Sequence, residues 1–354
     1  MTVDPGPGTT PGVRRVLHVA KTHLDVGFTD LAATVRQRYL DDYFPRALEV
    51  AAELRRAGGP ARLRWTTGSW ILTEALDAAD PVHRRRLEQA IDDGDLCWHA
   101  LPFTMHTEYA DASLLRHGLS LSAELDRRFG RRTRAAKVTD VPGHTRALVR
   151  LLADAGVDLL HIGVNPVAAV PAVPLQFRWR DESTDVDGPG AAEVSVMYQP
   201  GGYGDVQLVE GTDVAVAIDL TGDNIGPRSA AEVAMSFAEL AERFPGAEVV
   251  AATLDDVAAA VAAGRDHLPV VTAEIGDSWI HGVGSDPQKT AGFRALSRLR
   301  RTWLDEGRVG ADDPGLQRAS TRLLLVAEHT WGMDQKTHWP DTEHWSATEL
   351  AEVR

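Results

Sequence analysis

AAKVTDVPGHTRALVRLLADAGVDLLHIGV (135–164) holds one complete strand–helix–strand unit. AAKVTD (135–140) is an apolar run ending on a carboxylate. TRALVRLLADAG (145–156) carries apolar residues at helical spacing and closes on glycine, and VDLLHIGV (157–164) is apolar again. Short apolar runs between turn signals read as buried strands, and a helical crossover joins strands that run parallel. The same alternation extends both ways. Upstream lie VLHVA (16–20), a helical pattern over 31–57 bent or broken at Pro45, ARLRWTT (61–67), a helix over 81–94, LCWHALPFT (96–104) and a helix over 112–129. Downstream, 165–213 is rich in Pro, Gly and Asp, with LQFRWRD (175–181) and EVSVMYQP (193–200) read as an insertion or hairpin beside the main sheet. The rhythm resumes with VAVAIDL (214–220), a helix over 229–244, EVVAAT (248–253), a helix over 254–263 and PVVTAEI (269–275), before helices over 288–305 and 313–331. This pattern predicts an α/β fold with a largely parallel sheet, open or closed as a barrel.

The bulk numbers narrow the partners. A formal net charge of −14 over 354 residues opposes nucleic acid, which needs a basic surface, and opposes anionic membranes. Cys97 is the single cysteine, so neither an internal disulfide nor a thiolate zinc cluster can form. The leader MTVDPGPGTTPGVRR has no apolar segment of the signal-peptide kind, and no stretch reaches the ~18–20 uncharged apolar residues that span a bilayer. The expected address is the cytoplasm.

In parallel α/β folds the chemistry sits where strands end. The polar residues there are His23 and Asp25, then Thr67, Ser69 and Trp70, then His99, His106 and Glu108. Asp140 and His144 follow, then His161 and Asn165, Asp219 and Asp223, and finally Asp277, His281 and Asp286. Loops are polar in any protein, so the signal is the crowding of His, Asp and Glu. In HLD (23–25) the two ligand-capable side chains stand at i and i+2 and share a strand face. Imidazole and carboxylate suit zinc or another first-row divalent ion, which needs a third and a fourth ligand from elsewhere. Asp140, before Pro142-Gly143, reads as a nucleophile, a ligand or a helix cap, a task that Thr145 suits better. Asp223 ends a strand in a glycine-rich loop, and Asp140 with Asp223 supplies the two carboxyls that glycosidic cleavage requires. His329 reads as a core histidine, or as a ligand if its helix closes over the strand ends.

Taken together these motifs resemble the catalytic domain of the glycoside hydrolase family 38 α-mannosidases, or a bacterial offshoot of it. KTHLDVGF (21–28) is similar to the family's His-x-His-x-Asp-x-Gly-Trp, with Lys21 for the first His and Phe28 for Trp. RWTTGSWILTEAL (64–76), GDLCWHALPFTMHTEYAD (94–111), TDVPGHTRALVRLLADAG (139–156), TGDNIGP (221–227) and EHTWGMD (328–334) follow in the family's order. The resemblance covers about residues 14–345. It implies a seven-stranded (β/α) TIM-like barrel, a divalent metal such as zinc, and retaining hydrolysis of α-mannosides. Carried over, it makes His23, Asp25, Asp140 and His329 the metal ligands, Asp140 also the nucleophile, and Asp223 the acid/base. Asn224 stands where the family has a second acidic residue, and the late motif has one His where the family commonly has two before an Asp.

The expected organisation is a disordered leader over 1–13, a barrel over 14–310, and a C-terminal helical segment over 311–354 that begins a truncated bundle. The resembling enzymes continue into further domains, so the expectation is a fragment or a reduced relative completed by a homo-oligomer or another partner. Trp70, His106, Glu108 and His281 are the expected sugar contacts of the carbohydrate substrate. His18 reads as core or barrel lining, and Trp179, Trp303 and Trp339 as packing residues. Two other functions fit the pattern: a metal-dependent carbohydrate deacetylase, which would need a His-x3-His pair that no helix here supplies, and a non-catalytic sugar-binding relative.

Overall fold

The computed structural model describes residues 12–183, 191–330, 332 and 346–349, without the side chain of His281. The expected leader (all but its last two residues) and Trp339 lie outside the described residues. The first half of the chain runs β1 (Arg15–His23), α1 (Ala32–Arg38), α2 (Phe44–Ala57), β2 (Trp65–Gly68), α3 (Ser69–Ala78), α4 (Pro81–Asp92), β3 (Leu96–His99), α5 (Ala112–Phe129), β4 (Ala135–Asp140), α6 (Ala147–Asp154) and β5 (Leu159–Val164). There follow β6 (Gln176–Asp181), β7 (Ala192–Gln199), β8 (Val206–Leu208), β9 (Val214–Asp223), α7 (Ala230–Arg243), β10 (Glu248–Ala251), α8 (Leu254–Ala263), β11 (Val270–Val271), α9 (Pro287–Asp305) and α10 (Pro314–Val326).

Local chemistry explains many of these boundaries. Asp80 caps α4 by accepting from the backbone N–H groups of Val82 and His83, with Pro81 in the first turn. Capping boxes start α7 (Ser229 with Glu232) and α8 (Thr253 with Asp256), and Gly130, left-handed at φ 62°, ends α5. The pattern over 31–57 does not break at Pro45. It widens into a π-helical turn over Tyr39–Tyr43, with Phe44 N–H bonding Tyr39 O, and Pro45 follows directly in α2.

The strands form two sheets. The first runs β3-β2-β1-β9-β8, with β10 also on β1, and the second runs β11-β6-β7-β5-β4. Among the described strands, only β8 on β9 and β6 on β7 pair antiparallel. Within the stretch read as an insertion or hairpin, β6 and β7 pair as a hairpin inside the second sheet, with β7 seated between β6 and β5, while β8 joins the first sheet. Side chains alternate on every long strand. Val16 and Ala20 of β1 join the large core under the helices, while Leu17 and Val19 meet Ala135, Leu159, Met197, Val216 and Ile218 from the other strands. The two sheets thus share one inner core, which α8 covers with Leu254, Val257 and Val261. Among the described residues the strands pair as two sheets, and the single closed seven-stranded barrel expected from the sequence is not shown. One of the breaks in the ladder is the seam between β3 and β4, where β3 is four residues long and the next amide, Ala100 N–H, reaches Ala135 O at 2.9 Å. His18 is buried as expected but faces the helices, against Phe237 and Asp219.

The C-terminal helices carry the last site segment into place. Arg300 on α9 donates to Ser320 on α10 and to Ser113 on α5, and His117 on α5 meets Thr321 at 3.0 Å. Beyond α10, His106 N–H bonds Ala327 O, His329 N–H bonds Thr104 O, and Glu328 bridges Met105, which sets residues 327–330 over the strand ends. Among the described residues no helix is long and apolar enough to cross a membrane.

Candidate active site

At the carboxyl ends of β1 and β4, and capped by the segment after α10, four side chains converge. One ligand atom from each of His23, Asp25, Asp140 and His329 lies within 4.8 Å of the other three. Asp25 Oδ1 is 3.1 Å from His23 Nε2 and 3.0 Å from His329 Nε2. Asp140 Oδ2 is 3.9 Å from His23 Nε2 and 3.4 Å from His329 Nε2. These nitrogens are buried and close to carboxylates, yet neither makes a directed hydrogen bond, and Asp25 Oδ2 has no partner either. Two unpaired buried imidazole nitrogens facing two carboxylates are what a tetrahedral divalent ion needs. The donor set fits a metal.

Two backbone features aim this set. The register of β1 on β9 shifts between Lys21 and His23, as at a bulge, and brings His23 level with Asp223. Asp140 has φ 86°, a left-handed conformation that a non-glycine residue adopts at a cost of roughly 1–3 kcal/mol. The turn after β4 is therefore made by Asp140 itself, and its carboxylate does not cap α6. Tyr203 O–H donates to Asp140 Oδ1, and Asn165 Nδ2 donates to the same oxygen at 2.8 Å. One oxygen is held by these donors while the other faces the imidazoles.

Charge follows geometry. Burial pushes the Asp25 carboxyl up, but His23 and His329 outweigh it and hold it well below the ordinary range. Asp140 is likewise lowered, burial being overcome by His329, His23 and the Tyr203 hydrogen bond. Asp223 goes the other way. Burial raises it, and Asp25 and Asp140 add to that against the opposing His23. Two carboxyls held ionised beside one pushed toward its acid form is the separation of roles that acid/base chemistry uses. Asn224 is excluded from that role, because it is buried and its amide is spent: Oδ1 accepts from Asp25 N–H at 3.0 Å, and Nδ2 donates to Asp25 O, Gly27 O and Thr29 Oγ1. It locks the loop that carries Asp25.

Further down the strands the interior stays polar. Lys21, Lys137, His99 and His161 are all buried, with Lys137 Nζ 2.8 Å from His161 Nδ1 and 3.1 Å from Tyr203 O. Burial lowers Lys21 to about 8, against the pull of Asp25, and pushes Lys137 well below its usual range.

The expected sugar contacts fare differently. Trp70 is buried edge-on against Phe103, and His106 is buried between Asp277 (2.6 Å) and the carbonyl of His329, so neither presents a free ring face. Trp70 lies within α3 itself, and the segment after α10 covers His106. Glu108 is exposed and accepts from Asp277 N–H, while the His281 side chain lies outside the described residues. Sequence reading missed Tyr203, which no motif marks within the Pro/Gly-rich stretch, and Glu328, whose place beside His329 was the one available signal. Gly143, in the loop after Asp140, is held by packing. A Cβ there would sit 2.2 Å from the carbonyl oxygens of Ile275 and Gly276, so glycine is needed for close backbone approach. Gly143→Ala is expected to destabilise by about 3 kcal/mol and to displace the loop after Asp140, checked by urea unfolding.

A family model described as a domain of unknown function, DUF5054, matches residues 283–354. No curated protein matches the chain. Among solved structures it is similar to an alpha-mannosidase from Enterococcus faecalis V583, with a TM-score of 0.58 and 14% identity over 74% of this chain and 31% of that one. It is also similar to a glycosyl hydrolase family 38 protein from Enterococcus faecalis, with a TM-score of 0.52 and 11% identity over 88% and 35%. The chain spans about a third of the length of these proteins. At such identities the likeness is one of fold: the two-sheet α/β architecture is similar to that of glycosidases of family 38.

Proposed function

We propose that the chain is a metal-dependent retaining glycoside hydrolase related to family 38, acting on α-mannosides or a related α-glycoside. The observation that carries this reading is the convergence of His23, Asp25, Asp140 and His329, with Asp140 Oδ1 held by Tyr203 and Asn165 and Asp223 raised toward its acid form nearby. His23, Asp25, Asp140 and His329 would hold a divalent first-row ion, zinc by the N/O donor set. When bound, such an ion supplies Lewis-acid binding of sugar hydroxyls and favours ring distortion.

The chain's own residues account for the bond changes. Asp140, kept ionised, attacks the anomeric carbon as the bond to the leaving oxygen breaks, and Asp223 gives that oxygen its proton. Asp223, now a carboxylate, takes a proton from water as the water attacks the glycosyl ester on Asp140. The sugar leaves with its α configuration retained, and both carboxyls return to their starting states. Glu108, exposed, remains available for sugar hydroxyls.

The test is metal analysis of the purified protein together with NMR of the first product formed from an aryl α-mannoside. About one zinc per chain and initial release of the α-anomer are expected. A metal-bearing protein that cleaves no aryl α-glycoside, or one that releases acetate from acetylated sugars instead, would remove the glycosidase reading.

A further inference from the structure

The segment after α10 holds a carboxylate that no motif explains. Glu328 is buried and immediately precedes His329, and its Oε1 lies 2.6 Å from His329 Nδ1. Its Oε2 accepts from Thr330 N–H at 3.1 Å and from the Thr330 hydroxyl. Both oxygens are therefore engaged away from the four-ligand cluster, and Glu328 is not a fifth ligand. On the far side of the same imidazole, Nε2 is buried, has no hydrogen-bond partner, and points between Asp25 and Asp140.

We propose that Glu328 is a positioning residue for the metal: it holds the Nδ1–H of His329 and thereby presents Nε2 as the ligating lone pair. This rests on the metal reading given above. A neutral imidazole has one proton for two nitrogens, and the nitrogen facing a carboxylate keeps it. A carboxylate behind a ligating imidazole also makes the ring a stronger donor and fixes its plane, and losing such a partner costs typically 10–100-fold in metal affinity. Glu328 fixes more than the ring. Thr330, which donates its hydroxyl to Glu328, also stands 3.2 Å from Val26 O, in the loop directly after Asp25. Thr330 thus packs between the Glu328 carboxylate and the loop that follows Asp25.

The experiment compares wild type, Glu328→Gln and Glu328→Leu for zinc affinity by chelator competition, with circular dichroism to confirm folding. In parallel, the His329 ring nitrogens are read by ¹⁵N NMR in the zinc-loaded proteins. Glu328→Leu is expected to weaken zinc binding by roughly 10–100-fold and Glu328→Gln by less, since its amide oxygen can still accept from Nδ1–H. The His329 Nδ1 proton, far downfield in wild type, is expected to move upfield in Glu328→Gln and further in Glu328→Leu. Zinc affinities within twofold of wild type in the folded variants would overturn the proposal. So would a wild-type spectrum in which zinc is bound through Nδ1 of His329, a result that requires no variant to fold. Wild type that binds no zinc would instead remove the metal reading itself, and is distinguished by being seen before any substitution.

Discussion

Asp140→Asn is expected to abolish glycoside turnover, with kcat reduced roughly 10⁴–10⁶-fold, the scale on which loss of an activated nucleophile acts. Asparagine fills the same space and its carbonyl oxygen can still accept from Tyr203 and Asn165, so the fold is preserved. Its amide nitrogen, however, replaces the oxygen that stands 3.4 Å from His329 Nε2, and an amide neither attacks carbon nor ligates a cation as a carboxylate does. Metal content must be measured alongside kcat, because the same carboxylate is assigned both tasks. The two are separated by Asp140→Ala with added azide and an activated aryl α-mannoside. If Asp140 is the nucleophile, azide enters the vacated space and a β-glycosyl azide accumulates. Turnover of Asp140→Asn within tenfold of wild type would rule the assignment out.

The second large effect is expected at Asp25. Its Oδ1 lies between the two imidazole Nε2 atoms, 3.1 Å from His23 and 3.0 Å from His329, and so links ligands from opposite ends of the chain. Asp25→Ala leaves two imidazoles and one carboxylate. Zinc affinity is expected to fall by more than roughly 100-fold, beyond what loss of an outer partner costs. The stability that zinc adds should vanish with it. At a free concentration 100 times Kd, a bound ligand adds about 2.7 kcal/mol, which is several degrees in Tm for a chain of this size. Chelation should lower the Tm of wild type by that amount and leave Asp25→Ala unmoved. An equal response of both proteins to chelator would place the metal elsewhere.

Much of the fold was legible where local chemistry and pattern agree. α5 (112–129), α8 (254–263) and β4 (135–140) fall on the residues read from the sequence, because a cap, a glycine or a carboxylate marks their ends. α3 was missed. It follows β2 with no loop, Gly68 gives it no side-chain cap, and Trp70, Ile71 and Leu72 bury consecutive positions and erase the amphipathic signal. The division into two sheets was illegible for another reason: alternation shows which segments are strands, while pairing across the β3–β4 seam depends on contacts far apart in sequence.

The site divides in the same way. His23, Asp25 and Asp223 could be read because strand ends carry the chemistry in this class of fold. His329 came from resemblance and motif order rather than from periodicity, which favoured a core role. Glu328 and Tyr203 could not be given roles, since what matters is the direction each side chain takes across the mouth. Asn224, which occupies an acidic place in the resembling family, proves to be a loop lock through hydrogen bonds that only folding assembles.

The most direct measurement is a crystal structure of the protein grown with zinc, with data collected on either side of the zinc absorption edge. The account predicts one anomalous peak bounded by His23, Asp25, Asp140 and His329, with ligand atoms about 2.0–2.2 Å from it. A clear map with no peak there, and an ordered water or a direct His329–Asp25 hydrogen bond in its place, would contradict it.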